Sequence, residues 1–198
     1  MNVLGVTFDS KLNWSAHISN QINKANKALH AIKLIKKYFT TNKILTLITS
    51  NYFSVLYYNS EVWHLPTLKP ELKQHLLSAS ANALKLAQLH PDRMESFIDV
   101  HRNTNRAIPE KLLLFKHAVL LHKLFNNQSP SLEWADLHFK QTFNSRQSHF
   151  NIIKSSNYKV GNNILSNRLS VLNNKILLND LNLSLDTFKF KYKQTLLK

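Results

Sequence analysis

Apolar residues at alternating spacings of four and three mark the clearest element of the chain. Ile18, Ile22, Ala25, Leu29 and Ile32 fall on one side of a helix. Ala28, Ile35 and Phe39 widen that stripe. Lys27 and Lys37 lie opposite it and Lys24 and Lys33 on its flanks, whereas Lys36 falls inside it, against the pattern. Thr40, Thr41 and Asn42 end this helix and offer caps for the next. Residues 43–62 form a second helical segment with Leu47, Phe53, Leu56 and Tyr57 inward, ending near Trp63. Pro66 and Pro70 bound a short linker. A third helix is expected over residues 71–89, with Leu72, Leu76, Ala79 or Ala83, and Leu86 inward, closed by His90-Pro91. A weaker segment, 92–100, leads to the polar stretch 101–106. Pro109 suits the first turn of a helix reaching about Phe125. Asn126, Asn127 and Pro130 end it, and residues 131–139 suit a short further helix.

The two ends of the chain read differently. Residues 3–8 are a short β-branched run that suits a strand. A strand starting at residue 1 suggests a chain cut from something longer. Asp9-Ser10 then turns the chain, and Asn13 or Ser15 can cap the first helix. From 141 to 182 the composition shifts to Asn, Ser and Lys with scattered Ile and Leu, and no period stands out. Near the end, Ser184 can cap a helix, with Leu183 and Phe188 as a hydrophobic staple. Leu185, Phe188, Tyr192 and Leu196 make a helical stripe. Residues 188–193 also alternate as a half-buried strand would, but the stripe extends beyond them and favours helix. There is no internal repeat or heptad array. The pattern predicts a mainly α protein: a helical bundle with a short N-terminal β-strand and turn, and an irregular C-terminal region ending in a helix.

Composition narrows the chemistry. The chain has 198 residues and is 43% hydrophobic, enough to bury a core. It contains 2 glycines, Gly5 and Gly161, where average usage gives about 14. A phosphate-cradling loop needs clustered glycines, so P-loop and dinucleotide motifs are absent. With no cysteine, disulfides, thiolate nucleophiles and Cys-ligated zinc are excluded, and a reducing compartment suits the chain. The N-terminus lacks a basic and apolar leader. The most apolar stretch, 111–125, is interrupted by Lys116, His117 and Lys123, so no membrane span is expected. These features point to an intracellular protein. Carboxylates are scarce: Glu61, Glu71, Asp92, Glu95 and Asp99 read as single charges or caps. Ser78 and Ser80 lack the glycines of a nucleophile elbow. His117 and His122 are five apart, off a common helix face, and are expected half-exposed. No catalytic residue, metal site or cofactor site is predicted within the chain.

Charge is the informative feature. There are 26 Lys and Arg against 11 Asp and Glu, a net +15. One lysine-rich helix face alone is only a solvated face. Such an excess across a folded chain points instead to a polyanion, RNA or DNA, held through phosphates. The candidate contacts are Lys24, Lys27, Lys33, Lys36 and Lys37 on the first helix, and Arg146, Lys154, Lys159 and Arg168 in the late segment. A membrane surface would favour one short basic amphipathic segment over charge spread along the chain. Trp14 and Trp63 are expected to pack the bundle, Asp9 to hold the turn, and Gly5 to let the strand approach a neighbour closely.

The residues from Leu4 to Trp14 (LGVTFDSKLNW), followed by His17-Ile18, resemble the segment after the catalytic palm of reverse transcriptases from non-LTR retrotransposons of the LINE and jockey-like type. Leu56 to Trp63 (LYYNSEVW) is similar to that family's thumb helix with its Glu-Val-Trp or similar triplet. The stretch Lys116 to Pro130, with HKLFNNQSP, is similar to its post-thumb helix. The tail, from Ser145-Arg146 through Leu185 to Leu197, resembles the family's C-terminal end with its Ser-Leu-x-x-Phe-Lys helix. The likeness runs in order along nearly the whole chain. It departs at Leu172 to Leu177, where relatives usually carry a Trp-Asn-x-Leu-Pro segment.

The resemblance implies a strand and turn leaving the palm at 1–12, a thumb-like helical bundle at 13–90, post-thumb helices at 91–140, and a basic C-terminal region at 141–198. It implies part of an RNA-directed DNA polymerase of a transposable element, gripping an RNA–DNA template–primer duplex beside the palm and fingers of its parent. The parent's chemistry rests on palm aspartates that hold Mg2+, in an element of Phe or Tyr, any residue, then Asp-Asp. This sequence has no such element, so no polymerase activity and no small-molecule substrate is expected of it alone. The alternative is a domesticated or degenerate helical module that binds a protein partner or RNA without enzymatic role.

Overall fold

The computed structural model describes residues 1–63, 68–88, 94–126, 128, 139–144, 147–152, 172 and 176–197. The protein is mainly α-helical, as the periodicity indicates. The chain separates into two compact units, one of residues 1–63 and 68–109, the other of 64–67 and 110–198.

The N-terminal unit opens on a hairpin, β1 (Asn2–Val3) against β2 (Val6–Thr7), rather than on one strand. Leu4 and Gly5 form its two-residue turn with φ of 47° and 80°. Two successive positive φ angles match the type I′ geometry that follows the strand twist. The outer edge is tied by the Met1 ammonium donating to Phe8 O (3.0 Å) and Phe8 N–H to Met1 O (2.7 Å). The close approach expected at Gly5 is to the Tyr58 ring, whose Cε1 would lie 3.2 Å from an added Cβ. Gly5→Ala combines this contact with a left-handed backbone, and should lower stability by about 1–2 kcal/mol. A urea midpoint unchanged from wild type would contradict that account.

The first helix, α1 (Ser15–Ile35), buries Ile18, Ile22, Ala25 and Ile32 as the stripe predicts. It stops earlier than predicted. Lys36–Tyr38 tighten into a 3-10 turn, and Phe39 goes extended. The α period therefore fails beyond Ile35, and Ile35 and Phe39, expected inward, are exposed. The predicted second helix is broken into α2 (Thr41–Leu47), a π-helical segment (Ile48–Phe53), α3 (Ser54–Leu56) and α4 (Ser60–Trp63). The wider π turn shifts the register, so Ile48, Tyr52, Leu56 and Tyr57 all reach the core. Asn59, at φ 47°, turns the chain into α4.

Helix α5 (Pro70–Lys85) begins with Pro70, which opens the helix instead of ending a linker, because a first-turn residue needs no N–H partner. It buries Leu76, Ser80, Ala81, Ala83 and Leu84. Helix α6 (Phe97–Asn103) is capped by Ser96, whose hydroxyl accepts the Asp99 N–H at 3.2 Å. It extends past Val100 into the polar stretch 101–106. Asn105, at φ 51°, ends it, with Arg106 N–H reaching back to His101 O at 2.9 Å. α1 packs on the π segment, α3, α5 and β2.

In the C-terminal unit, α7 (Pro109–Phe125) has the predicted bounds. Residues 131–138 lie outside the described residues, and Phe139, placed by the pattern at the end of a short helix, begins a strand. β3 (Phe139–Asn144) pairs antiparallel with β4 (Gln147–Ile152). A 3-10 turn (Leu178–Asn182) precedes α8 (Leu185–Leu197), so the helical stripe prevails over the alternating pattern. Ser184 caps α8, accepting the Thr187 N–H at 3.3 Å. Ala118, Leu121, Leu124, Leu172, Ile176, Leu181, Phe188 and Tyr192 form one cluster, with Leu183 against it. The buried Asp180 carboxylate accepts from the Tyr192 hydroxyl and the Lys191 ammonium, both at 2.8 Å. Burial and this carboxylate together push the Tyr192 hydroxyl's pKa well up.

Candidate nucleic-acid interface

The candidate contacts cluster on α1, and the placement of that helix starts at Asp9. The Asp9 carboxylate accepts N–H groups from Lys11 (2.9 Å), Asn13 (3.0 Å) and Trp14 (3.0 Å). It holds the turn that leads into the helix, as expected of it, but the cap expected from Asn13 or Ser15 does not form: α1 starts after Trp14 without a side-chain cap bond, because the left-handed Trp14 occupies the cap position. Trp14 takes up a left-handed conformation at φ 64°, so its ring turns into the core, edge-on to Phe8 at 5.3 Å. One turn on, His17 is buried, and its Nδ1 accepts the Thr7 N–H at 3.2 Å. That bond ties the hairpin to the helix. The His17 ring lies 5.4 Å from that of Trp63, whose indole N–H donates to Tyr58 O at 2.9 Å. Trp14 and Trp63 thus pack the bundle, as expected.

With this side held, the rest of the surface of α1 and the turn after it meet solvent. Lys24, Lys27, Lys33 and Lys37 are all exposed. Lys24 to Lys33 span about 14 Å at 1.5 Å per residue, with Asn20, Asn23 and His30 exposed among them. Lys36 differs: half-buried, its ammonium donates to Gln88 O at 3.3 Å, which accounts for its place inside the apolar stripe. Arg146, Lys154, Lys159 and Arg168 lie outside the described residues. Residues 10–60 contain no Asp or Glu. The whole of α1 and the π segment are thus without an internal carboxylate to neutralise those ammonium groups. This gap was visible in the sequence as an absence, which periodicity counting passes over.

Buried polar groups are what the pattern missed. Burial, with a smaller push from Lys24, drops the His17 pKa to about 4. Ser80 Oγ sits 2.9 Å from His101 Nε2 and also donates to Leu77 O at 2.9 Å. Tyr57 hydrogen-bonds Ser80, and burial drives its hydroxyl pKa strongly up. Burial likewise lifts Tyr52 to about 12, its hydroxyl donating to Ala79 O at 3.0 Å. A serine beside an imidazole suggests nucleophilic chemistry, but both side chains are buried with no open surface for a substrate. The group stitches α5 to α6. His117 and His122, expected half-exposed, are also buried, and His122 Nε2 donates to Leu183 O at 2.8 Å. α7 buries a wide arc, which brings positions five apart inside together. Among the described residues no group of three or more His, Asp or Glu could hold a metal ion. None of the described helices is long and apolar enough to cross a membrane.

Comparison with known protein families, with curated proteins and with solved structures finds no match to this chain.

Proposed function

We propose that the chain is the thumb and post-thumb part of a non-LTR retrotransposon reverse transcriptase, and that α1 grips the backbone of an RNA–DNA duplex. The observation that carries this reading is the solvent side of α1 and of the turn after it, where Lys24, Lys27, Lys33 and Lys37 are exposed in a stretch of 51 residues without a carboxylate. The ordered resemblance from Leu4 through Leu197 supports it. Lysine ammonium groups are point charges that position phosphates without reading bases, so binding is indifferent to sequence. The polymerase chemistry belongs to palm aspartates and their Mg2+, which this sequence does not carry. In the parent enzyme this segment supplies grip and register for the duplex, next to palm and fingers.

The test is anisotropy of a labelled RNA–DNA hybrid titrated with the full chain at several salt concentrations. Affinity should fall log-linearly between about 50 and about 200 mM salt, with a slope near 0.9 per phosphate neutralised. The double variant Lys24→Gln/Lys27→Gln should lower that slope by nearly two and weaken low-salt binding roughly tenfold. Lys36→Gln should leave the slope unchanged, since its ammonium already serves the Gln88 carbonyl. Salt-independent binding would point instead to a module for a protein partner. No binding at low ionic strength would end the proposal.

A further inference from the structure

The C-terminal end of α1 carries a second kind of surface. Leu34 is 64% exposed, Ile35 38%, Tyr38 72% and Phe39 42%, within six consecutive residues. The Lys37 ammonium lies over the Tyr38 ring, 4.9 Å from its centroid, and Lys33 is exposed one turn before. Leu34 follows Lys27 by seven residues, two helical turns, so the lysine face runs directly onto this patch. Leu34 and Ile35 are exposed on the last turn of α1, and the 3-10 turn with the extended Phe39 leaves Tyr38 and Phe39 outside the bundle.

We propose that this patch is a stacking platform for unpaired nucleotides leaving the duplex held by α1, an inference that rests on that duplex reading. Paired bases bury their π-faces in the helical stack, whereas a single-stranded extension offers them. Exposed aromatic rings between ammonium groups suit such a strand: the rings take bases and the lysines take phosphates. A protein partner is the poorer fit. Four apolar side chains fall far short of the roughly 800 Å² per partner of a specific interface. An acidic peptide would use the lysines but would leave the Tyr38 face without a stacking counterpart.

The experiment compares a blunt RNA–DNA hybrid with one carrying an unpaired extension of about five nucleotides, the first of them 2-aminopurine. With the full chain, the extension should tighten binding by about tenfold, a typical stacking gain, and 2-aminopurine fluorescence should be quenched on binding. Tyr38→Ala and Phe39→Ala should each remove most of that gain and reduce the quenching, and Tyr38→Phe should keep both. All three variants should bind blunt hybrid as wild type does. Blunt binding intact but no gain from the extension, or a gain that survives Tyr38→Ala and Phe39→Ala, overturns the stacking platform and leaves the duplex grip standing. Loss of blunt binding in the wild-type chain overturns the duplex reading, and the platform with it.

Discussion

Trp63→Ala should lower the stability of the N-terminal unit by about 3–5 kcal/mol, the range for deleting a fully buried large aromatic side chain. Trp63 has no exposed surface. Truncation removes its packing, opens a cavity beside His17, and leaves the Tyr58 carbonyl without the indole N–H it accepts at 2.9 Å. Tyr58 is also the residue whose ring meets Gly5 at the hairpin turn, so the loss reaches the hairpin. Trp63→Phe keeps most of the volume and sacrifices mainly the hydrogen bond, and should cost about 1–2 kcal/mol. Native-state hydrogen exchange of α1 amides resolves this unit from the other. Equal protection in wild type and Trp63→Ala would show that the ring does not hold α1. The expected loss is a large fraction of a total of about 5–15 kcal/mol.

The fold was legible wherever one period persisted over several turns. Ile18, Ile22, Ala25 and Ile32 define α1, Pro109 and Phe125 bound α7, and the stripe of Phe188 and Tyr192 decides helix against strand at the end. It was illegible where the backbone changes geometry within an element. A π turn at 48–53 and a 3-10 turn at 36–38 each break the spacing that a constant 3.6-residue count assumes. The hairpin at 2–7 looks in sequence like one strand because its turn carries Leu4 beside Gly5, and leucine rarely adopts φ of 47°.

The candidate site divides along the same line. That Lys27 and Lys37 face outward follows from the apolar stripe opposite them, and Lys24 and Lys33 are exposed on its flanks. That Lys36 turns to the Gln88 carbonyl, 52 residues on, depends on a tertiary contact. Asp9 could be assigned to a turn from its type, but its hold on Trp14 N–H, five residues away, depends on how the whole loop 9–14 folds. His17, Ser80 and His101 were missed because counting apolar positions places polar ones outside by default. In the folded chain each has a partner that makes burial tolerable.

His17 should make the N-terminal unit acid-labile over a defined window. In the folded state its pKa is lowered to about 4, from the ordinary 6.5, by burial first and by Lys24 second. Above pH 6.5 the imidazole is neutral in both folded and unfolded chains, and its contribution to stability is fully present. As pH falls from 6.5 towards 4, the unfolded chain takes up the proton and the folded one does not. Stability is therefore lost across that interval, by up to about 3 kcal/mol. Below pH 4 both forms are protonated and this loss levels off. Protonation at Nδ1 also ends its acceptance of the Thr7 N–H, so release of the hairpin from α1 should accompany it. His101, in the same unit, has its pKa lowered by burial and adds in the same direction. Urea unfolding at a series of pH values separates the two: His17→Gln should reduce the proton uptake on unfolding near pH 5 by up to one, and His101→Gln should reduce it further. A stability profile with the same slope in His17→Gln as in wild type would mean that the ring is already charged in the fold. The Trp14 and Trp63 rings around it would then be stabilising an imidazolium rather than a neutral acceptor.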